Sequence, residues 1–271
     1  MRLDRPSVAI ARLCPNNERA HNRRHSLMSD TSLRRLYENT ATPLSSGQGR
    51  AERQAVMLAE VASAAGRRIT AVDVGCGDGM CTELALNVCN ATPNASVSIV
   101  GLDWSMIALS QASARGIPVA RASADERGLP LASSSVDVVI MSEFIEHLVD
   151  PDNALDEAWR VLIPGGTLLL STPNLAAWYN RALLAGGIQP LFTEVSLRGI
   201  HGRPGTEVVG HLRLFTRRAL LSLLKSMGFV DIKIKGAPYH DVPRPLKGLD
   251  RLLCHTPSLA SNLLVAAQKP G

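Results

Sequence analysis

From residue 69 onward the chain alternates short, uniformly apolar segments with stretches of helical period, and this rhythm restricts the fold more than any other feature. ITAVDV at 69–74, SVSIVGLD at 96–103, IPVARA at 117–122, SVDVVIMS at 135–142 and TLLLSTP at 167–173 read as strands. Being apolar throughout, they need cover on both faces. Helical patterns occupy 79–90, 105–116 and 152–162, the last with Trp159 and Leu162 inward and a stop at Pro164-Gly165-Gly166. An amphipathic helix at 51–65 ends at Gly66, and helix 216–228, strand 229–236 and a final strand 262–269 follow a long connection over 174–210. Strands and helices in this order predict an α/β fold, a parallel sheet with helices on both faces.

Charge separates a tail from a body. Residues 1–35 hold eight arginines against Asp4, Glu18 and Asp30, which accounts for the whole net charge of +5 and leaves the remainder neutral. The reading is a basic, flexible extension over 1–48 and one domain over 49–271. Five cysteines (Cys14, Cys76, Cys81, Cys89, Cys254) without paired or zinc-finger spacing predict a reduced, cytoplasmic protein. No apolar run of about 18 residues appears, so no spanning helix is expected. Aromatics at 4% argue against a stacking platform for nucleic acid.

The chemistry starts where the first strand ends. AVDVGCGDGM at 71–80 puts Gly75, Gly77 and Gly79 between a strand and a helix, a turn that brings bare backbone against a nucleoside ligand. The spacing is GxGxG, unlike the GxGxxG of dinucleotide enzymes. Asp103, in GLDWS, ends the second strand and is placed to accept both hydroxyls of a ribose, with Trp104 beside it to pack on the sugar or cover the core. Asp125 follows the third strand at the same carboxyl edge; its carboxylate suits an adenine amino group, with Ala124 and Glu126 offering backbone contacts.

These segments resemble the class I S-adenosylmethionine-dependent methyltransferases. The likeness runs through DVGCGDG at 73–79, GLDWS, the Asp125 segment with LPL, VDVVIMSEFIEHLVDP, PGGTLLLSTPN and HLRLFTRRALLSLLKSMGF, over about residues 50–235. It implies a Rossmann-like seven-stranded, mostly parallel sheet with the last strand antiparallel. It implies S-adenosylmethionine held by Asp73, Gly75, Cys76, Gly77, Asp103, Trp104, Ala124, Asp125 and Ser142. The segment SEFIEH at 142–147 is similar to that of the ubiquinone-biosynthesis O-methyltransferases, where an E-x-x-E-H pattern is linked to a divalent cation; Glu143, Glu146 and His147 reproduce it. Oxygen and imidazole ligands suit such an ion, although capping at a strand end is the blander role for the same residues.

A sulfonium is already a strong methyl donor, so the protein's task is in-line positioning and, for a hydroxyl acceptor, a base. His147 is the first candidate and His211, in GHLRLFT, the second. The 174–210 connection leaves the ligand edge at Asn174 and returns at His211, which reads as a substrate lid with Trp178, Tyr179 and Phe192 inward. Its apolar, aromatic face also admits peripheral membrane contact. The expected activity is methylation of a small molecule, most simply on oxygen, with no nucleic-acid substrate. Two other readings stay open at this point: an NAD-dependent oxidoreductase, against which the GxGxG spacing stands, and a non-catalytic cofactor-binding module.

Overall fold

The computed structural model describes residues 48–124, 128–205, 208–239 and 242–271. The N-terminal extension, residues 1–47, and Asp125 lie outside the described residues. The elements in chain order are α1 (Gln48–Ala64), β1 (Ile69–Val74), α2 (Met80–Ala91), β2 (Val97–Asp103), α3 (Met106–Ala114), β3 (Val119–Arg121) and β4 (Val136–Ser142). They continue with α4 (Pro151–Val161), β5 (Leu162–Pro173), α5 (Trp178–Ala185), α6 (Arg217–Ser226), β6 (Val230–Ala237), α7 (Lys247–Leu253) and β7 (Asn262–Gln268).

Seven strands form one sheet in the order β3-β2-β1-β4-β5-β7-β6. The pairings from β3 to β5 are parallel, and β7 runs antiparallel to both β5 and β6. The seven-stranded sheet and its antiparallel last strand match the expectation. Chain order reverses beside β1, whose neighbours are β2 and β4, so the crevice where such sheets bind ligands opens at the carboxyl ends of these strands.

The two-residue period of the strands sorts their side chains into two cores. Leu168 and Leu170 of β5, with Val139 and Met141 of β4, pack against Ala154, Leu155, Ala158 and Val161 of α4 and Leu220 and Leu224 of α6. Leu169, Ile140 and Val138 face the other way, against Ala55, Leu58, Ala59 and Ala62 of α1 and Ala85 and Cys89 of α2. A fully buried leucine contributes about 1.5–3 kcal/mol, and the three central leucines of β5 are all fully buried. This is why the strands read as continuous apolar runs.

Helix ends follow their caps. Asp150 accepts from Asn153 N at 3.1 Å with Pro151 opening α4, and Thr216 caps α6 through Ala219 N at 3.2 Å. One boundary differs from the sequence reading. Pro164-Gly165-Gly166 is not a break before β5 but lies inside it, where the pairing with β4 shifts register between Val136 and Val138. Gly165, at φ +77°, makes that irregularity, and its N–H donates to Lys269 O.

Candidate functional site

The turn after β1 is built around its glycines. Gly75, Gly77 and Gly79 all sit at positive φ (77°, 55° and 80°), a region costly for any other residue. A side chain on Gly75 would strike the Phe144 ring, and one on Gly79 would meet Ile117 and Ala112, whereas Gly77 faces open space. Gly77 therefore presents bare backbone outward while its neighbours are pressed inward. Beneath them Asp73 is buried; its Oδ2 accepts from Thr82 Oγ1 of α2 at 2.6 Å, and its Oδ1 has no hydrogen-bond partner among the described residues. Burial pushes its carboxyl up to about 6, against the pull of the Thr82 hydroxyl.

Asp103 stands at the tip of β2 and accepts from Gly77 N and Ser105 N, each at 2.9 Å. It is not the cap of α3: Ser105 fills that role, accepting from Ala108 N at 3.3 Å. The carboxylate retains acceptor capacity for a diol. Cys76 turns inward, its thiol against Gly101, and burial drives its pKa upward. Trp104 is half-buried beside Asp103, its carbonyl accepting from Arg121 Nε at 3.0 Å. Ala124 is fixed by Asn153 of α4, whose amide donates to Ala124 O. The same helix face carries Glu157, which accepts from Leu129 N at 2.6 Å, and Arg160, which donates to Leu131 O at 2.8 Å. The loop flanking Asp125 is thus latched to α4 on both sides.

At the end of β4, Ser142 Oγ donates to Gln54 Oε1 at 2.9 Å. Glu143 adopts φ +50°, and its side chain pairs with Arg50 of α1 at 3.5 Å; Arg50 also donates to Ser171 Oγ at 3.0 Å. Glu143 does not join the two residues with which its sequence pattern groups it. Glu146 and His147 meet His211 instead, with one donor atom from each residue and all three atoms within 4.8 Å of one another. Leu212 N and Arg213 N donate to Glu146 O at 2.8 and 2.9 Å and so bring His211 to it from far along the sequence.

The chemistry of this group follows from its tautomers. His147 Nδ1 lies 3.3 Å from Gly210 O and His211 Nδ1 lies 3.2 Å from Phe192 O, so both Nδ1 atoms carry the proton. Both Nε2 lone pairs then face Glu146 Oε1, each at 4.0 Å. Glu146 is fully buried; its Oε2 accepts from Thr172 Oγ1 at 3.0 Å, while Oε1 has no hydrogen-bond partner among the described residues. Burial lowers His147 to about 4 and, helped by its neighbour His147, His211 to about 3. Burial, and then Glu143, raise Glu146. Three acceptor atoms thus converge on one point, which suits a proton or a divalent cation, and the two-imidazole, one-carboxylate set fits Zn²⁺ or Mn²⁺ chemistry.

The 174–210 connection folds back on the sheet. Glu194 accepts from Val209 N at 2.6 Å and Gly210 N at 2.8 Å, and Asn180 accepts from Leu191 N at 2.7 Å. Rings run in a line from it to the histidines: Trp178–Tyr179 at 5.5 Å, Tyr179–Tyr239 at 6.3 Å, Tyr239–Phe192 at 5.3 Å, Phe192–His211 at 5.7 Å and His211–His147 at 4.7 Å. Four of the chain's ten Phe, Trp and Tyr residues gather here, so this side of the site is aromatic although the composition is not. The buried Asp250 of α7 holds that wall, accepting from Trp178 Nε1 at 2.9 Å, Ser261 Oγ at 2.7 Å and Tyr239 N at 2.8 Å.

Sequence reasoning missed Arg50, Gln54, Thr172, Tyr239 and Asp250. Thr172 sits in the STPN segment, whose polar residues inside a buried strand were a usable signal. Arg50 and Asp250 are charges on helices, where a solvated face is the ordinary expectation, and only packing reveals Asp250 as buried and Arg50 as half-buried.

Residues 72–170 match the model of a family described as "Methyltransferase domain". The chain is 31% identical over 214 residues to the ubiquinone biosynthesis O-methyltransferase of Methylococcus capsulatus, covering 77% of this chain and 79% of that one. It is 36% identical over 110 residues to an S-adenosylmethionine-dependent methyltransferase of Mycolicibacterium smegmatis; that match spans only 41% of this chain and 39% of the relative. A solved S-adenosylmethionine-dependent methyltransferase of Thermotoga maritima shares the fold at a TM-score of 0.52 and 18% identity, over 81% of this chain and 92% of that one.

Proposed function

Because the chain belongs to the class I S-adenosylmethionine-dependent methyltransferases, we propose that it methylates a hydroxyl oxygen of a small molecule beneath the 174–210 connection. The observation that carries this reading is the convergence of Glu146, His147 and His211 at the carboxyl edge, beside the glycine turn. The cofactor supplies an activated methyl group. The outward backbone of Gly77, the carboxylate of Asp103 and the unpartnered Asp73 Oδ1 fit a nucleoside with a cationic amino-acid end, and Arg50 offers a cation for a carboxylate.

What the acceptor needs is orientation and somewhere for its proton to go. The ring line from Trp178 to Phe192 provides an apolar slot that excludes water, with 174–210 acting as a lid. Neutral imidazoles down to about pH 4 accept a hydrogen bond from a hydroxyl throughout the physiological range, but they are weak bases. Glu146 is the stronger acceptor of the proton, and a divalent cation held by Glu146, His147 and His211 would make the hydroxyl itself more acidic.

Two measurements test the reading. S-adenosylhomocysteine should raise the melting temperature and NAD should not; stabilisation by NAD alone overturns the cofactor assignment. With an acceptor in hand, chelation should lower turnover, and Glu146→Ala should reproduce the loss. Turnover indifferent to chelator but abolished in Glu146→Ala assigns the proton to the carboxylate and removes the ion.

A further inference from the structure

After β6 the chain turns outward. From Pro243 to Leu252 every residue is exposed except Asp250. A short 3-10 turn, Arg244–Leu246, runs into α7, and this stretch carries Leu246, Leu249 and Leu252, which are 39, 42 and 67% exposed. Their spacing of three keeps them along one side of a short helix. Beside them stand Arg244, Lys247 and Arg251, all exposed, and no ion pair among the described residues engages any of them. Asp250, the one acidic side chain between Arg244 and Leu253, is turned inward onto Trp178, Ser261 and Tyr239 and does not offset these cations.

We infer that the turn and α7 dock the protein on an anionic lipid surface. An exposed helix carrying leucines with cations flanking them matches an interfacial helix, in which the apolar side enters the acyl boundary and the charges meet headgroups. Three leucines fall far short of the ~800 Å² per partner that a stable protein interface requires. A second copy docking by the same face would set cations against cations. The charge pattern therefore favours lipid over either kind of protein partner. The 174–210 connection, where the sequence suggested membrane contact, also exposes Leu184 and Val195 at 64 and 67%. The basic, leucine-bearing segment, however, is α7. Through Asp250 it is fastened to Trp178 and Tyr239, so a docked surface would lie on the aromatic side of the site. That last orientation rests on the proposed acceptor slot, whereas the docking itself does not.

The test is sedimentation of the full chain with phosphatidylcholine vesicles, with and without phosphatidylglycerol. The wild type should bind only the anionic vesicles. Leu249→Ser with Leu252→Ser should weaken partition by about tenfold or more, and Arg244→Gln or Lys247→Gln by about fivefold each, with melting temperature and the S-adenosylhomocysteine shift unchanged. Undiminished binding by the double leucine variant would assign vesicle binding to the arginine-rich N-terminal segment and overturn the inference. So would failure of the wild type to bind, or equal, leucine-independent retention by soluble polyglutamate. A concentration-dependent dimer that the leucine changes abolish, without vesicle binding, would assign the face to a second copy.

Discussion

Replacing Asp73 by Asn should flatten one part of the protein's stability profile. The wild-type carboxyl titrates at about 6 in the folded state against 3.8 as its ordinary value, because burial disfavours its charge. Between these two pH values the folded state holds a proton that the unfolded state has lost. Stability therefore falls as pH rises from 4 to 6, and it levels off above that window. The difference of about two pH units corresponds to about 3 kcal/mol. Asn keeps the Thr82 interaction through its carbonyl, while its amide takes the position of Oδ1 and finds no acceptor there, a penalty of about 1–3 kcal/mol that does not vary with pH. The informative quantity is thus the difference between wild-type and variant unfolding free energies at each pH. Measured by urea denaturation without cofactor, it should change by about 2 kcal/mol between pH 4 and 6, the rest of the span falling just outside that window, with the wild type losing ground relative to the variant. A flat difference, or one of opposite slope, would refute the reasoning, since it would mean that Asp73 is either hydrated or paired with Arg50.

Asp103→Ala should abolish the thermal shift given by S-adenosylhomocysteine, which at a hundredfold excess over Kd corresponds to about 2.7 kcal/mol in the wild type; an intact shift would remove the ribose assignment. Gly75→Ala forces a side chain onto the Phe144 ring at φ +77° and should cost about 1–3 kcal/mol in urea unfolding. Phe144→Ala should recover part of that loss, and strict additivity of the two changes would argue against the contact. Asp250→Asn replaces one accepting oxygen with a donor facing Trp178, Ser261 or Tyr239. It should raise KM for the acceptor several-fold and leave the cofactor-induced thermal shift as it was; an equal loss of both would mark Asp250 as a general stability residue.

The sheet was legible because its strands are buried on both faces, so the apolar runs at 69–74 and 167–173 could hardly be anything else. The glycine turn and Asp103 were legible because backbone conformation and strand-end position restrict which residues serve there. Distance in sequence hid the rest. His211 reaches Glu146 through two backbone hydrogen bonds that no local pattern announces, and Glu143 is turned away from that pair by its left-handed backbone and by Arg50. Helix α7 was missed because its leucines have no buried face to match: one carboxylate turned inward at Asp250 fastens it, and periodicity cannot see that. Pro164-Gly165-Gly166 looked like punctuation, yet a strand absorbed it as a register shift.

The order of the strands also sets an order of assembly. Among the described residues strand β6 bonds to β7 alone, and β7 pairs on its other side with β5 from Thr167 to Pro173. During synthesis, β1 to β5 can pair with one another before β7 emerges, leaving only one edge of β5 open, whereas β6 must wait for a strand still to be made. The half of the molecule proposed to grip the nucleoside can therefore close first, and the half proposed to face the acceptor is completed only when β7 slides in between. A nascent chain could already hold its cofactor while α7 and the aromatic wall, tied to the segment just before β7 through Asp250 and Ser261, are still unformed. Lesions in β7 would then leave a protein that recognises its methyl donor and has nowhere to send the methyl group.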